Sequence, residues 1–228
     1  MDNLGIFFIN LEARVDKKAS AIEQLSQCGI PFERVRAVTD NDLATSDIEY
    51  RYFRLISAVK RSHLKACLSF LSSNYDFALI LEDDFTLDPV HLASELNRCI
   101  SSMNENGLHF LQVGYLGFDQ IETRSYFEKK ARYLFEQAYL AYSHLRSFRS
   151  NIIVGRIRWG AQAYLIDRKG AENLIKLIDV TSRLPYDAEL RRLARVSKSD
   201  CNHILAGRLK KNLIQQVLTF RSDIQGVV

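Results

Sequence analysis

Between residues 77 and 85 the chain runs from Phe77-Ala78-Leu79-Ile80-Leu81 straight into Glu82-Asp83-Asp84 and then Phe85. A short apolar run, bounded upstream by the turn-forming Ser72-Ser73-Asn74-Tyr75-Asp76, reads as a strand buried on both faces of a largely parallel sheet. The three carboxylates then stand at the carboxyl end of that strand, the edge at which open α/β sheets bind their ligands. Two neighbouring carboxylates repel by roughly 4 kcal/mol at 4 Å and an effective dielectric of about 20. A hard divalent cation, Mn²⁺ or Mg²⁺, relieves that repulsion by taking one or two carboxylates together with phosphate oxygens of a substrate. The plainer alternative is a solvated acidic turn.

The elements around this stretch read as βα units. Gly5 to Leu11 is β-rich and forms a first strand. From Asp16 to about Cys28 a helix follows, with Ala19, Ile22, Leu25 and Cys28 as its apolar face and Gly29 as its stop. Phe32 to Val38 is a second strand, parallel to the first through a right-handed crossover. Leu55 to Leu71 is helical on Ile56, Val59, Leu64, Cys67, Leu68 and Leu71, and Asp88-Pro89 opens a helix through about Met103. Leu108 to Val113 and Trp159 to Ile166 supply further strands, Asp167-Arg168-Lys169-Gly170 begins another helix, and Leu184-Pro185 makes a turn that presents Asp187 and Glu189. The aromatic and basic stretch from Leu116 to Asn151 reads either as core or as a substrate cleft.

With 228 residues, 47% of them hydrophobic and 25% charged, the chain can bury a full core. Residues 1–228 are expected to form one domain, in two halves over about 1–115 and about 116–228. Cys28, Cys67, Cys99 and Cys201 are too dispersed for a metal motif and read as reduced core residues, which together with an acidic rather than basic N-terminus points to the cytoplasm. The net charge of +4 is concentrated late in the chain, in Arg191, Arg192, Arg195, Lys198, Arg208, Lys210 and Lys211. Such a region either brings the protein to the inner membrane face as a peripheral partner, holds phosphates, or is a solvated helix face. Nucleic acid is not expected as a partner.

Seven motifs in order carry a resemblance. They are Ile9-Asn10-Leu11-x-x-Arg14-x-Asp16; Phe32-Glu33-Arg34-Val35 with Ala37-Val38; Ser62-His63-Leu64; Leu79-Ile80-Leu81-Glu82-Asp83-Asp84; Gly160-Ala161-Gln162-Ala163-Tyr164-Leu165-Ile166 with Lys169-Gly170-Ala171; Leu184-Pro185-x-Asp187; and Ser222-Asp223-Ile224. In this the chain resembles glycosyltransferase family 25, which includes bacterial lipooligosaccharide galactosyltransferases and collagen galactosyltransferases. The resemblance implies a GT-A fold, a Rossmann-type mostly parallel sheet flanked by helices, and an inverting, metal-dependent transfer from a UDP-sugar, galactose by default. The acceptor it implies is a hydroxyl of a glycan or lipid-linked oligosaccharide. By the same likeness Glu82-Asp83-Asp84 stands for the D-x-D motif, Asn10 and Arg14 lie near the nucleotide, and Asp187 lies beside the reacting sugar; Ser62 and His63, on a helix, read either as donor contacts or as structural residues, and Gln162 as a donor contact. The departures are Lys60-Arg61 before Ser62-His63, Ala161 in the glycine-led motif, and Lys17-Lys18 after Asp16.

The chemistry gives these residues roles independently of the family. Asp84, at the strand tip, is the expected metal ligand. Strand alternation puts Glu82 on the same side, as a second ligand, a water-mediated contact or a ribose contact, and turns Asp83 away unless the turn breaks the alternation. Asp187 is the expected general base, with Glu189 second. Two rival readings are a metal-dependent phosphohydrolase, for which no P-loop is present, and a transferase-like binding module without turnover.

Overall fold

The computed structural model describes residues 3–43, 50–115, 151–194 and 204–217. The aromatic stretch over 116–150, together with Arg195, Lys198, Cys201 and Ser222-Asp223-Ile224, lies outside the described residues.

A seven-stranded sheet organises the chain. Its strands are β1 (Leu4–Asn10), β2 (Phe32–Arg36), β3 (Phe77–Glu82), β5 (Phe110–Gly114), β6 (Ile152–Val154), β7 (Ala163–Asp167) and β8 (Ala206–Leu209), in the order β2-β1-β3-β7-β5-β8-β6. The expected apolar strand is β3, and it is central, parallel to β1 on one side. On its other side lies β7, which is antiparallel to both β3 and β5, while β8 is again parallel to β5. Five strands therefore share one direction and β6 and β7 oppose them, which makes the sheet mixed but mostly parallel. Two further short strands, β4 (Phe85–Thr86) and β9 (Gln215–Gln216), pair beside the acidic turn.

The alternation along the strands sorts side chains to two helical layers. Ile6, Phe8, Leu79, Leu81, Leu111 and Leu165 face helix α1 (Val15–Ser26) and helix α3 (Pro89–Asn106). Phe7, Ile9, Ile80, Phe110, Tyr164 and Ile166 face α2 (Arg51–Ser72), α4 (Arg168–Leu177) and α5 (Tyr186–Leu193). Asp88 caps α3 by accepting from Val90 N–H, Pro89 takes the first position, and Gly107 closes the helix at φ 62°. Asp167 caps α4 through Gly170 N–H, where a Cβ on Gly170 would stand 2.1 Å from the carbonyl oxygen of His109. Among the described residues no helix is long and apolar enough to cross a membrane.

Two helices bury faces that apolar periodicity does not indicate. In α1 the inward stripe is Lys17, Ala21 and Leu25, with Ala19 and Ile22 exposed. In α2 the buried positions include Ser57, Lys60, Ser62 and His63, whereas Leu68 is exposed. Polar residues occupy these inward faces because each finds a partner inside, and two of those partnerships build the site.

Candidate functional site

β3 ends at Glu82, whose N–H donates to the carbonyl of Gln162 at 2.9 Å. The chain then turns over Asp83 and Asp84, and the turn breaks the strand alternation. Glu82 goes toward the α2 layer, its Oε1 3.3 Å from His63 Nε2. Asp83 and Asp84 both face α1, where the buried Lys17 Nζ lies 3.3 Å from Asp83 Oδ1 and 4.0 Å from Asp84 Oδ2. The expected grouping of Glu82 with Asp84 is thus replaced by Asp83 with Asp84, since a two-residue turn redirects side chains that a strand would alternate.

Each of the two aspartates is held on a second side. Asp83 Oδ2 accepts from Asn10 Nδ2 at 2.6 Å, and Asn10 in turn accepts from Arg34 Nε at 2.9 Å and donates to the carbonyl of Arg14. Asp84 Oδ2 accepts from Gln216 Nε2 at 3.0 Å, and the Asp84 carbonyl accepts from Val217 N–H. Asp84 Oδ1 is buried with no hydrogen-bond partner. Burial first, and then the neighbouring Glu82 charge, push the Asp84 carboxyl up to about 6. The Arg14 guanidinium pairs with Asp16 at 2.8 Å.

The opposite wall comes from the strand that runs the other way. Because β7 is antiparallel, its beginning lies at the carboxyl end of β3, and the residues before it, 159–162, border the acids. Gly160 N–H donates to Asp187 Oδ2 at 3.1 Å, and Ala188 N–H donates to Asp187 Oδ1 at 2.8 Å. Asp187 sits in the first turn of α5. Burial raises its pKa against those two donors, and the Glu82 charge raises it further. Gln162 is buried and its Nε2 has no hydrogen-bond partner. Trp159 is half-buried, with the Arg191 guanidinium 4.2 Å over its ring. Beneath these groups His63 stacks on Tyr186 at 4.1 Å, its Nδ1 lies 3.1 Å from Tyr164 Oη, and the two tyrosine hydroxyls are 3.1 Å apart.

The profile of glycosyltransferase family 25, described as LPS biosynthesis protein, matches residues 3–190. The chain belongs to that family. A search of curated proteins finds no match. Among solved structures, a glycosyltransferase involved in the glycosylation of the major capsid of PBCV-1 is similar with TM-score 0.52 and 10% identity, over 96% of this chain and 94% of that one. The S. aureus protein TarS, residues 1–349 in complex with UDP-GlcNAc, is similar with TM-score 0.50 and 9% identity, over 100% of this chain and 62% of that one. At such identities the likeness shows the fold, which is that of GT-A-like glycosyltransferases.

Within this family 25 chain the residues singled out from sequence divide into two groups. Asn10, His63, Glu82, Asp83, Asp84, Gln162 and Asp187 gather at the carboxyl end of β3. Ser62 does not join them: its hydroxyl donates to the Ala58 carbonyl and accepts from Val38 N–H, tying α2 to the segment after β2. Glu189 also lies apart. It is 1% exposed, its Oε1 accepts from Ser182 Oγ at 2.6 Å, and its Oε2 is 3.2 Å from Lys60 Nζ, an ionic contact without hydrogen-bond geometry. Lys60 Nζ further donates to the carbonyls of Asp179 and Ser182 and to Ser182 Oγ. Lys60 is therefore a buried anchor for α5 and its preceding loop. Removing one member of such a pair leaves a charge buried alone and costs about 3–5 kcal/mol. Lys60→Met is expected to show that loss in urea unfolding, and Lys60→Met with Glu189→Leu to recover most of it; equal stabilities for Lys60→Met and wild type would show the pair contributes nothing.

Lys17, Arg34 and Gln216 are site residues to which sequence reasoning assigned no role, although Arg34 lies within one of the motifs and Lys17 is a departure from another. For Lys17 a signal was present, because it stands four and eight residues before Ala21 and Leu25 on one stripe. Among the described residues no group of three or more His, Cys, Asp or Glu side chains could hold a metal ion. The Asp83 and Asp84 pair, with one buried oxygen lacking a partner, fits instead an ion whose remaining ligands are substrate phosphates and water.

Of the late basic cluster, Arg192 and Lys211 are exposed, Arg191 and Lys210 half-buried, and Arg208 buried. The described part is thus not one continuous solvated face.

Proposed function

We propose that this family 25 glycosyltransferase moves a sugar, galactose by default, from a UDP-sugar to a hydroxyl of a cell-surface glycan such as lipooligosaccharide, with inversion and with Mn²⁺ or Mg²⁺. The observation that carries this reading is Asp84 Oδ1, a buried and unpartnered carboxylate oxygen in a turn of three acids. The fold neighbour solved with UDP-GlcNAc supports a nucleotide-sugar donor, and the family's description supports a glycan acceptor.

Asp84 and Asp83 would hold the ion, which when bound neutralises the charge of the departing diphosphate. Asn10 keeps Asp83 in place and Arg34 keeps Asn10 in place. Gln162 Nε2 has a hydrogen bond to give to a sugar hydroxyl or phosphate oxygen. Asp187, whose raised pKa makes it a stronger base than a solvated aspartate, accepts the proton of the acceptor hydroxyl as its oxygen attacks the anomeric carbon from the face opposite the diphosphate. Glu82, fixed by His63, supplies negative charge between Asp84 and Asp187 and supports both raised pKa values.

A donor screen that measures free nucleotide tests this reading. One UDP-sugar should release UDP faster when a glycan acceptor is added, and excess EDTA should stop the release. Release indifferent to acceptor would point to the phosphohydrolase, none with any donor to the binding module, and full activity in EDTA would remove the metal.

A further inference from the structure

We infer that Lys17 is a resident counter-cation of the acidic turn, which keeps a divalent ion out until the donor's diphosphate arrives and then moves onto a phosphate. This rests on the reading of the site as a nucleotide-sugar pocket. Lys17 is 2% exposed, deeper than any other lysine of the chain's described surface except Lys60. Its ammonium lies within 3.3 Å of Asp83 and 4.0 Å of Asp84, which are the two carboxylates that face α1 together. A buried ammonium is stable only with counter-charge, so the lysine and the turn hold each other in the absence of substrate.

A divalent ion taking Asp83 and Asp84 must come close to that ammonium, and two cations so near repel in an enclosed site. Bringing the metal in alone thus draws Asp83 and Asp84 away from Lys17 while placing a second positive charge beside it. A diphosphate removes both difficulties, because its oxygens complete the metal's ligand set and offer Lys17 new acceptors. The move is small in backbone terms, since Lys17 stands in the first turn of α1 and only its side-chain torsions need change. A strong hydrogen bond from Asn10 to Asp83 and one from Gln216 to Asp84 keep the carboxylates in place meanwhile. The unpartnered Asp84 Oδ1 is the coordination position Lys17 leaves open.

The test is Mn²⁺ binding followed by electron paramagnetic resonance of the free ion, on the full chain, without nucleotide and with UDP. Wild type should bind Mn²⁺ weakly alone and at least tenfold more tightly with UDP. Lys17→Met should bind Mn²⁺ alone at least tenfold more tightly than wild type and lose most of the gain from UDP, while Lys17→Arg behaves as wild type. Lys17→Gln, which keeps a donor for Asp83, replaces the methionine variant if that one shows no cooperative melting. Mn²⁺ alone should raise the melting temperature of the neutral variant more than that of wild type. Equal Mn²⁺ affinity in wild type and the neutral variant, including no binding by either, overturns the inference. If UDP binds none of the proteins under any condition, the donor reading fails, and the comparison with Mn²⁺ alone still decides the role of Lys17.

Discussion

Asp84→Asn is expected to abolish sugar transfer and, in metal-free protein at pH 7.5, to stabilise the fold by about 1–3 kcal/mol. The two effects have one cause. The Asp84 pKa of about 6 lies above the ordinary 3.8, so the folded state binds this proton more tightly than the unfolded state does. The stability linked to that proton is fully present below about pH 3.8 and is lost as pH rises through 6; each pKa unit corresponds to about 1.4 kcal/mol. An amide at this position keeps the shape and never carries the charge, so its advantage is greatest above pH 6 and vanishes near pH 4. The lower figure allows for the weakened contact with Lys17. Carboxylates with lowered pKa values, Asp42, Asp88 and Asp179 among them, lose their contributions only below their ordinary range and so do not enter this window. Urea unfolding in EDTA at pH 7.5 and 4.5 measures the difference. A destabilised variant at pH 7.5 would mean that Lys17 and Gln216 fully satisfy the charge, and undiminished transfer would take Asp84 out of the reaction.

Asp187→Asn is expected to lower kcat by about 10²–10⁴ while leaving UDP binding with Mn²⁺ near that of wild type. The carboxylate receives N–H donors from Gly160 and Ala188, so the amide variant can keep one of these contacts and the first turn of α5. Glu189→Gln has a different signature. Because Glu189 is enclosed with Lys60 and Ser182, its loss should appear in unfolding, and any fall in kcat should follow displacement of α5. Calorimetry with UDP, kcat and urea unfolding on both variants separate the two. A collapse of UDP binding in Asp187→Asn would make that residue a donor contact instead of the base.

Much of this site was legible in the sequence because its chemistry sits at strand ends, where an apolar run stops on polar residues. The run into Glu82-Asp83-Asp84 located both the central strand and the ligand edge, and the caps at Asp88 and Asp167 located two helices. What could not be read came from contacts between distant segments. No periodicity reveals that β7 runs antiparallel between β3 and β5, since its residues are buried on both faces whichever way it points. Lys17 and Lys60 look like solvated charges until the acids that meet them are placed in space. The role assigned to Glu189 failed to anticipate burial for the same reason: a carboxylate two residues from Asp187 on a turn becomes, on a helix, a residue of another face. The stretch from His203 to Val217 yielded no pattern because its strands, β8 and β9, are only four and two residues long.

The position of β7 also governs how the chain must come together. Phe77 of β3 stands opposite Leu4 on one side and Asp167 on the other, so the central strand acquires its neighbours from segments far apart along the chain. Pairings of this range are entropically costly to close and slow a chain's search for its native state. The first three strands alone would carry the acids, yet they would lack Gly160, Gln162, Asp187 and Gln216. Catalytic competence should therefore be among the last properties to appear on refolding, in step with the docking of β7 and later than the bulk of the helical signal. A stopped-flow refolding experiment that follows both circular dichroism and UDP binding would show the second lagging the first.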